Sequence, residues 1–220
     1  MLFLYSLDDE VKGMEKVLIL LAGLPGTGKT YLSNIIRQEL GSFYMLSQDE
    51  LKEHYCDVFG YNNLEEKQKV EKITWAKYYK IMEEQMQVGS NIMSDYPFSQ
   101  KQKPYIQQLV ERYGYRVVTI RLIADLDVLF ERQKKRDLDP TRHLSHIVTS
   151  YKKGDYLADR SKADNLLTYE EFIKRCTTRG YGTFELGKLY EVDVTDYTKV
   201  NYSKLLEEIR LWDESNSVKN

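Results

Sequence analysis

Apolar and polar positions alternate between two periods along the chain. Six consecutive apolar residues, Val17 to Ala22, end at a glycine-rich turn, the pattern of a strand buried on both faces. From Lys29 to Leu40 the chain reads as a helix, and Ser42–Leu46 follows as a short second strand. Ser47, with Glu50 three residues on, resembles a capping box that starts a helix through Tyr55 or beyond, broken at Gly60-Tyr61-Asn62-Asn63. Leu64 to Val88 predicts a long helix with Ile73, Ala76, Tyr79, Met82 and Met86 on one face, closed by Gly89. Ser90–Ser94 is a third strand that delivers Asp95 at its C-terminal end. After a turn at Tyr96-Pro97-Phe98-Ser99, Pro104–Tyr113 is helical until Gly114. Tyr115–Ala124, rich in β-branched residues, is a fourth strand. Asp125 can cap the next helix, which carries Arg132 and Arg136 and stops at Asp139-Pro140. Lys188–Val194 alternates as a fifth strand, and Leu205, Ile209 and Trp212 share one face of a last helix. Between Thr141 and Leu186 the pattern is weak: a short helix at Tyr169–Cys176 behind a Thr168/Glu171 capping box, and a turn at Gly180-Tyr181-Gly182.

Strands alternating with helices predict a doubly wound α/β fold: a mostly parallel five-stranded sheet with helices on both faces. Ligands in such folds sit beyond the C-terminal ends of the strands, at a topological switch point. The glycine-rich turn, Asp49 and Asp95 all fall at such ends, so three separate features become one candidate site.

The turn itself reads Gly23-Leu24-Pro25-Gly26-Thr27-Gly28-Lys29-Thr30, the G-x-x-x-x-G-K-[ST] spacing of a phosphate-binding P-loop. Backbone N–H groups must curl around an anion, and glycine lets the chain turn that tightly without a Cβ in the way. Gly23, Pro25, Gly26, Thr27 and Gly28 would form the cradle for a nucleoside triphosphate. The Lys29 ammonium would reach the β- and γ-phosphates, and the Thr30 hydroxyl would bind Mg²⁺. A plain glycine-rich turn is the alternative; the flanking strand and helix weigh against it.

Phosphoryl transfer asks a protein mainly to position groups and neutralise charge. Asp49, after the second strand, could accept a proton from an attacking hydroxyl, although an acid in the first turn of a helix is also stabilised there by the dipole alone. Asp95 could hold Mg²⁺ or orient the acceptor; otherwise it is a strand-end carboxylate opening a turn with Pro97. Arg132 and Arg136, four apart, can point into one space, where a lid would bring them to the transferring phosphoryl group; a solvated basic face with Lys134 and Lys135 is the plain reading. Arg142 has weaker support. His143 and His146 stand three apart with no third ligand at suitable spacing and read as loop or lid histidines, and His54 has no visible partner.

Composition narrows this little further. The chain of 220 residues suffices for one sizeable α/β domain, set at 16–214, with an extension at 1–15, a lid and substrate-specific region at about 132–186, and a fraying tail at 215–220. A net charge of −2 demands no nucleic-acid or membrane partner. Cys56 and Cys176 form neither a metal spacing nor a disulfide framework, which suits the cytoplasm. No apolar run approaches the roughly 20 residues needed to span a bilayer.

The residues Gly23 to Thr30, Ser47-Gln48-Asp49-Glu50-Leu51-Lys52, Ser94-Asp95 and Glu131-Arg132 to Arg136 together resemble the small P-loop kinases, which include the 5′-kinase domain of polynucleotide kinase, chloramphenicol phosphotransferase and the zeta toxins. The resemblance covers about Lys16 to Arg136. It implies ATP with Mg²⁺ as donor, Asp49 as general base, and lid arginines. It also places Lys52 where polynucleotide kinase has an arginine that helps hold a nucleic-acid phosphate; lysine keeps the charge without the bidentate fork. A GTPase is disfavoured because Ser161-Lys162-Ala163-Asp164, the nearest string to a guanine motif, follows polar residues. An oligomeric AAA+ ATPase would need Asp-Glu directly after four apolar residues, but Ser47 and Gln48 intervene. The expected activity is transfer of the ATP γ-phosphate to a hydroxyl of a small molecule or a nucleic-acid 5′ end, by a monomer or homodimer. A P-loop ATPase or nucleotide-sensing module without an acceptor is the alternative.

Overall fold

The computed structural model describes residues 16–217, so the expectations placed on residues 1–15 and 218–220 lie outside it. The central strand β1 (Val17–Gly23) is buried at all seven positions, which accounts for its unbroken apolar run. It is flanked by β3 (Ile92–Asp95) and β4 (Arg116–Ile123), with β2 (Tyr44–Ser47) and β5 (Lys188–Asp193) at the edges. The order is β2-β3-β1-β4-β5 and every neighbouring pair is parallel. The chain first builds to one side of β1, then crosses it to build β4 and β5 on the other, so the switch point lies at the C-terminal end of β1.

Alternation along β1 divides the core into two layers. Val17, Ile19 and Leu21 pack with Leu32 and Ile36 of α1 (Lys29–Leu40) and Leu205, Leu206 and Ile209 of α7 (Tyr202–Ser217). Leu18, Leu20 and Ala22 face the opposite way, onto Tyr78, Met82 and Met86 of α3 (Leu64–Gln87) and Ile106 and Leu109 of α4 (Lys103–Tyr113). Each large side chain buried in this way contributes roughly 1.5–3 kcal/mol. The remaining helices, α2 (Gln48–Phe59), α5 (Leu126–Leu138) and α6 (Tyr169–Thr178), border the switch point. Among the described residues, no helix is long and apolar enough to cross a membrane.

Several local expectations are corrected. The buried face of α3 is Lys67, Val70, Thr74, Tyr78, Met82 and Met86; Ile73 and Ala76 are exposed and Tyr79 is half-buried, because the core contact follows a spacing of four for most of the helix. Asp125 makes no side-chain cap on α5; its own N–H donates to the Thr195 hydroxyl. Ser47 does cap α2 by accepting from the Glu50 N–H, and Thr168 with Glu171 forms the complete reciprocal box on α6. Helix α7 runs to Ser217. The weakly patterned segment beyond α5 forms short 3-10 turns at Leu144–His146 and Arg160–Lys162, and a backbone bridge from Tyr61 to Tyr151 ties it to the loop between α2 and α3.

Candidate active site

The P-loop leaves β1 and enters α1 through two glycines with left-handed backbone, Gly26 at φ 85° and Gly28 at φ 81°. Gly28 is the N-cap of α1 and no side chain caps that helix, so its first N–H groups remain available to an anion. A Cβ at Gly28 would lie 2.9 Å from the Tyr197 hydroxyl, so glycine is required both by torsion and by space. Buried Thr27 fixes the turn by donating from its hydroxyl to the Leu24 carbonyl at 2.9 Å. The Lys29 ammonium donates to the carbonyls of Gly23 at 3.1 Å and Leu24 at 2.9 Å. Burial lowers its pKa to about 8, with Asp95 and Asp49 pulling the other way.

Register carries Asp95 to the same place: it sits beside Leu21 of β1 on one side and Ser47 of β2 on the other. The Thr30 hydroxyl donates to Asp95 Oδ2 at 3.1 Å. Asp95 Oδ1 is buried with no hydrogen-bond partner. Burial raises the pKa of this carboxyl, against the pull of Thr30 and Lys29. A hydroxyl and an unsatisfied carboxylate oxygen beside the phosphate cradle make a hard, all-oxygen donor set that fits Mg²⁺.

Asp49 stands in the first turn of α2, directly after the Ser47 cap. Arg136 Nη2 lies 3.6 Å and Arg142 Nη2 3.9 Å from its Oδ2. Burial works to raise its pKa, but Lys52, Arg142, Arg136 and Lys29 outweigh that and hold it below the usual carboxylate range. Lys52, nearly one turn along α2, pairs with Glu71 of α3 at 3.7 Å.

Arg132 and Arg136 line the same cleft but have different partners. Arg132 donates to the carbonyls of Val194 at 2.8 Å and Thr195 at 2.9 Å, and its guanidinium lies 3.9 Å from the centre of the Tyr197 ring. The Tyr197 hydroxyl donates to the Gly26 carbonyl at 3.3 Å, which fixes this flat stack against the P-loop. A spacing of four sets both arginines on one helix face, but backbone carbonyls after β5 capture the first and the Asp49 carboxylate attracts the second. Nothing in the sequence around Tyr197 marked it.

Arg142 owes its place to the neighbouring segment. His146 pairs with Glu53 at 2.6 Å, and His143 and Tyr151 both reach Asp57, at 3.1 and 2.5 Å. Burial lowers the His146 pKa to about 3, so the neutral ring donates its Nε2–H to Glu53. Arg142 is thereby set between Asp49 and Glu53, 3.6 Å from the latter. A visible signal existed for this clamp: Asp49, Glu53 and Asp57 are four residues apart and form one acidic stripe on α2.

The P-loop, Asp95, Asp49 and the three arginines Arg132, Arg136 and Arg142 open onto one cleft of about 1110 Å³, which runs from the P-loop past Asp49 to the facing sides of α3 and α6. Comparison with curated protein sequences gives no match. Among solved structures, a "putative kinase" from Chloroflexus aurantiacus J-10-fl is similar at 23% identity and TM-score 0.69, over 90% of this chain and 98% of that one. The tunicamycin resistance protein of Deinococcus radiodurans is similar at 12% identity and TM-score 0.50, over 90% and 95%. A sugar kinase from Janibacter sp. HTCC2649 is similar at 11% identity and TM-score 0.50, over 90% and 93%. At these identities the likeness establishes the P-loop kinase-like fold. A family model described as an AAA domain, AAA_33, matches residues 18–152. The chain therefore belongs to the AAA_33 family of AAA domains and has the P-loop kinase-like fold.

Proposed function

We propose that the protein is an ATP-dependent phosphotransferase that moves the γ-phosphate to a hydroxyl of an acceptor seated between α2, α3 and α6. The observation that carries this reading is the position of Asp49, an ionised carboxylate that faces the cleft beyond the P-loop with Arg136 beside it. A site built only for hydrolysis has no need of a cleft that continues so far past the phosphate cradle.

In the proposed reaction the acceptor oxygen attacks the γ-phosphorus, the bond to the β–γ bridging oxygen breaks, and ADP leaves with the electron pair. Lys29 and the first N–H groups of α1 bind the β- and γ-phosphates. Thr30 and Asp95 would hold Mg²⁺, which when bound neutralises phosphate charge. Arg136 and Arg142 stabilise the transferring phosphoryl group. Arg132 and Tyr197 border the nucleotide side. Asp49 accepts the acceptor proton. The cations that keep its pKa low make it a weak proton acceptor, so it orients the hydroxyl first. It takes the proton late, once bonding to phosphorus has made the hydroxyl acidic.

The test is transfer from γ-labelled ATP with Mg²⁺ to 5′-hydroxyl RNA and DNA oligonucleotides, nucleosides, sugars, aminoglycosides and chloramphenicol, beside a Lys29→Ala control. Label on one acceptor, lost in the control, is the expected result. ATP bound or hydrolysed with no label on any acceptor would replace this reading with an ATPase or sensing module.

A further inference from the structure

The far end of the cleft is more basic than phosphoryl transfer from ATP requires. Lys29 and Arg132 donate to backbone carbonyls, and Arg136 and Arg142 pair with the carboxylates of Asp49 and Glu53. Lys67, Arg175 and Arg179 line the same cleft, and among the described residues none of the three makes an ion pair with a carboxylate. Among the described residues Lys67 contacts only the Val148 carbonyl at 3.2 Å and the Tyr61 ring at 5.3 Å, and Arg179 only the Tyr181 hydroxyl at 3.4 Å.

Lys67 is placed where a lone cation is costly. It is 7% exposed. It lies in the first turn of α3, at the positive end of that helix dipole. Burial and its like-charged neighbours, Lys52 and Arg175, bring its pKa down to about 8, and Glu71 offsets them only in part. Buried charges are ordinarily paired, and a carboxylate, not an ammonium, suits the start of a helix. Arg175 on α6 and Arg179 at its C-cap stand four apart, so they share one face. The field of Arg175 reaches Lys67, and that of Arg179 reaches Tyr96, the residue after Asp95. The helix C-terminus accounts for the tolerance of two arginines on α6, but it does nothing for Lys67, which sits on the opposite wall at the wrong end of its own helix.

We propose that Lys67, Arg175 and Arg179 form an anion subsite that holds a phosphate group carried by the acceptor itself. The hydroxyl that receives the γ-phosphate then belongs to a molecule already phosphorylated, a sugar phosphate, a nucleotide or a nucleic-acid end, not to a neutral alcohol. This rests on the phosphotransferase reading of the same cleft. Two guanidinium forks and one ammonium suit the several oxygens and the dianionic charge of a phosphate ester. The ester also supplies the counter-charge that Lys67 lacks.

The test fills the P-loop with a non-hydrolysable ATP analogue and Mg²⁺, so that phosphate cannot bind there. Matched pairs are then titrated by calorimetry: glycerol and glycerol 3-phosphate, ribose and ribose 5-phosphate, adenosine and adenosine 3′-monophosphate. The phosphorylated member of at least one pair should bind about tenfold tighter or more, since a charged hydrogen bond of this kind is worth that factor. Its advantage should fall below about threefold in Arg175→Ala/Arg179→Ala, with the affinity for the analogue unchanged, and Arg175→Lys should keep part of it. Both arginines lie away from the core, so the double variant should fold; its thermal melt checks this. Which pair responds identifies the source of the phosphate. Equal binding of both members of every pair, or an advantage that survives the double substitution, would overturn the subsite. Phosphate-dependent binding without transfer from γ-labelled ATP would keep the subsite and refute the kinase. Transfer to neutral acceptors at rates untouched by the double substitution would keep the kinase and refute the subsite.

Discussion

Asp49→Asn separates a catalytic role from a structural one, because the two differ in size. The side chain that caps α2 is Ser47, so Asp49 contributes to the helix only as a charge in its first turn, worth about 0.3–1 kcal/mol. Its pairs with Arg136 at 3.6 Å and Arg142 at 3.9 Å are long, and Asp49 is about one-third exposed, so they add at most a similar amount. Arg142 keeps Glu53 as a partner in the variant. The expected loss of stability is therefore about 1–2 kcal/mol, and the protein should remain folded. Loss of a general base, in contrast, costs about 10²–10⁴ in rate, equivalent to roughly 3–5 kcal/mol of barrier. The assay measures initial rates of label transfer to the acceptor, ATP affinity by equilibrium titration, and the melting temperature of both proteins. A fall of at least about a hundredfold in kcat, with ATP affinity changed less than threefold, is expected. Transfer within threefold of wild type, or rate and affinity falling together, would refute the role. Because the wild-type carboxyl is held below the ordinary range, its ionisation should not limit the rate anywhere between pH 5 and 8. An acid limb centred in that window would also count against Asp49.

Removing Mg²⁺ with a chelator should stop transfer, and Asp95→Asn should raise the Mg²⁺ concentration for half-maximal rate by about tenfold or more; an unchanged requirement would take Asp95 out of the metal site. Arg132→Ala should raise the KM for ATP with little change in kcat, because Arg132 is committed to Tyr197 and the carbonyls of Val194 and Thr195. Arg136→Ala should do the reverse, lowering kcat by about 10²–10³, and steady-state kinetics on the two variants decides between them. His146 titrates at an ordinary 6.5 when unfolded and about 3 when folded, so the unfolded chain binds the proton first. Its contribution is present above pH 6.5 and lost as pH falls towards 3, with a slope of at most about 1.4 kcal/mol per pH unit. Denaturant unfolding between those limits should show a flatter acid loss in His146→Gln, and identical profiles would rule out this origin.

The parallel five-stranded sheet and the P-loop were legible because their patterns are specific: a short apolar run that ends at a turn reads as a buried strand, and GLPGTGKT at its end as a tight, open turn. Asp49 and Asp95 followed from strand ends, which parallel topology brings together whatever the sequence between them. Side-chain commitments were less legible. Helical spacing put Arg132 and Arg136 on one face, but it could not reveal that the loop after β5 presents two carbonyls to the first of them. The stretch beyond α5 carried little period because it buries few apolar residues of its own. Its order comes from polar contacts to α2, α3 and the loop between them, such as Tyr61 to the Ser145 carbonyl at 2.9 Å and Lys67 to that of Val148. Polar contacts of that kind have no repeat for a sequence to show.

The clamp on α2 also explains how a segment without regular structure can serve a reaction that needs fixed geometry. Asp49, Glu53 and Asp57 lie one turn apart, and a helix of this length holds them as a rigid row. The segment from Arg142 to Tyr151 supplies partners for that row: Arg142 meets Asp49 and Glu53, His146 meets Glu53, and His143 and Tyr151 meet Asp57. Three acids on one helix would repel one another without these partners. Glu53 and Asp57 are engaged in holding the segment, which fixes Arg142, and Asp49, at the end of the helix nearest the P-loop, faces the cleft beside Glu53. The same helix thus carries the proposed base and the anchor for an arginine beside it. A shift of the segment along α2 would move the arginine relative to the base, and a displacement of about 1 Å is enough to cost 10²-fold in a reaction that depends on position.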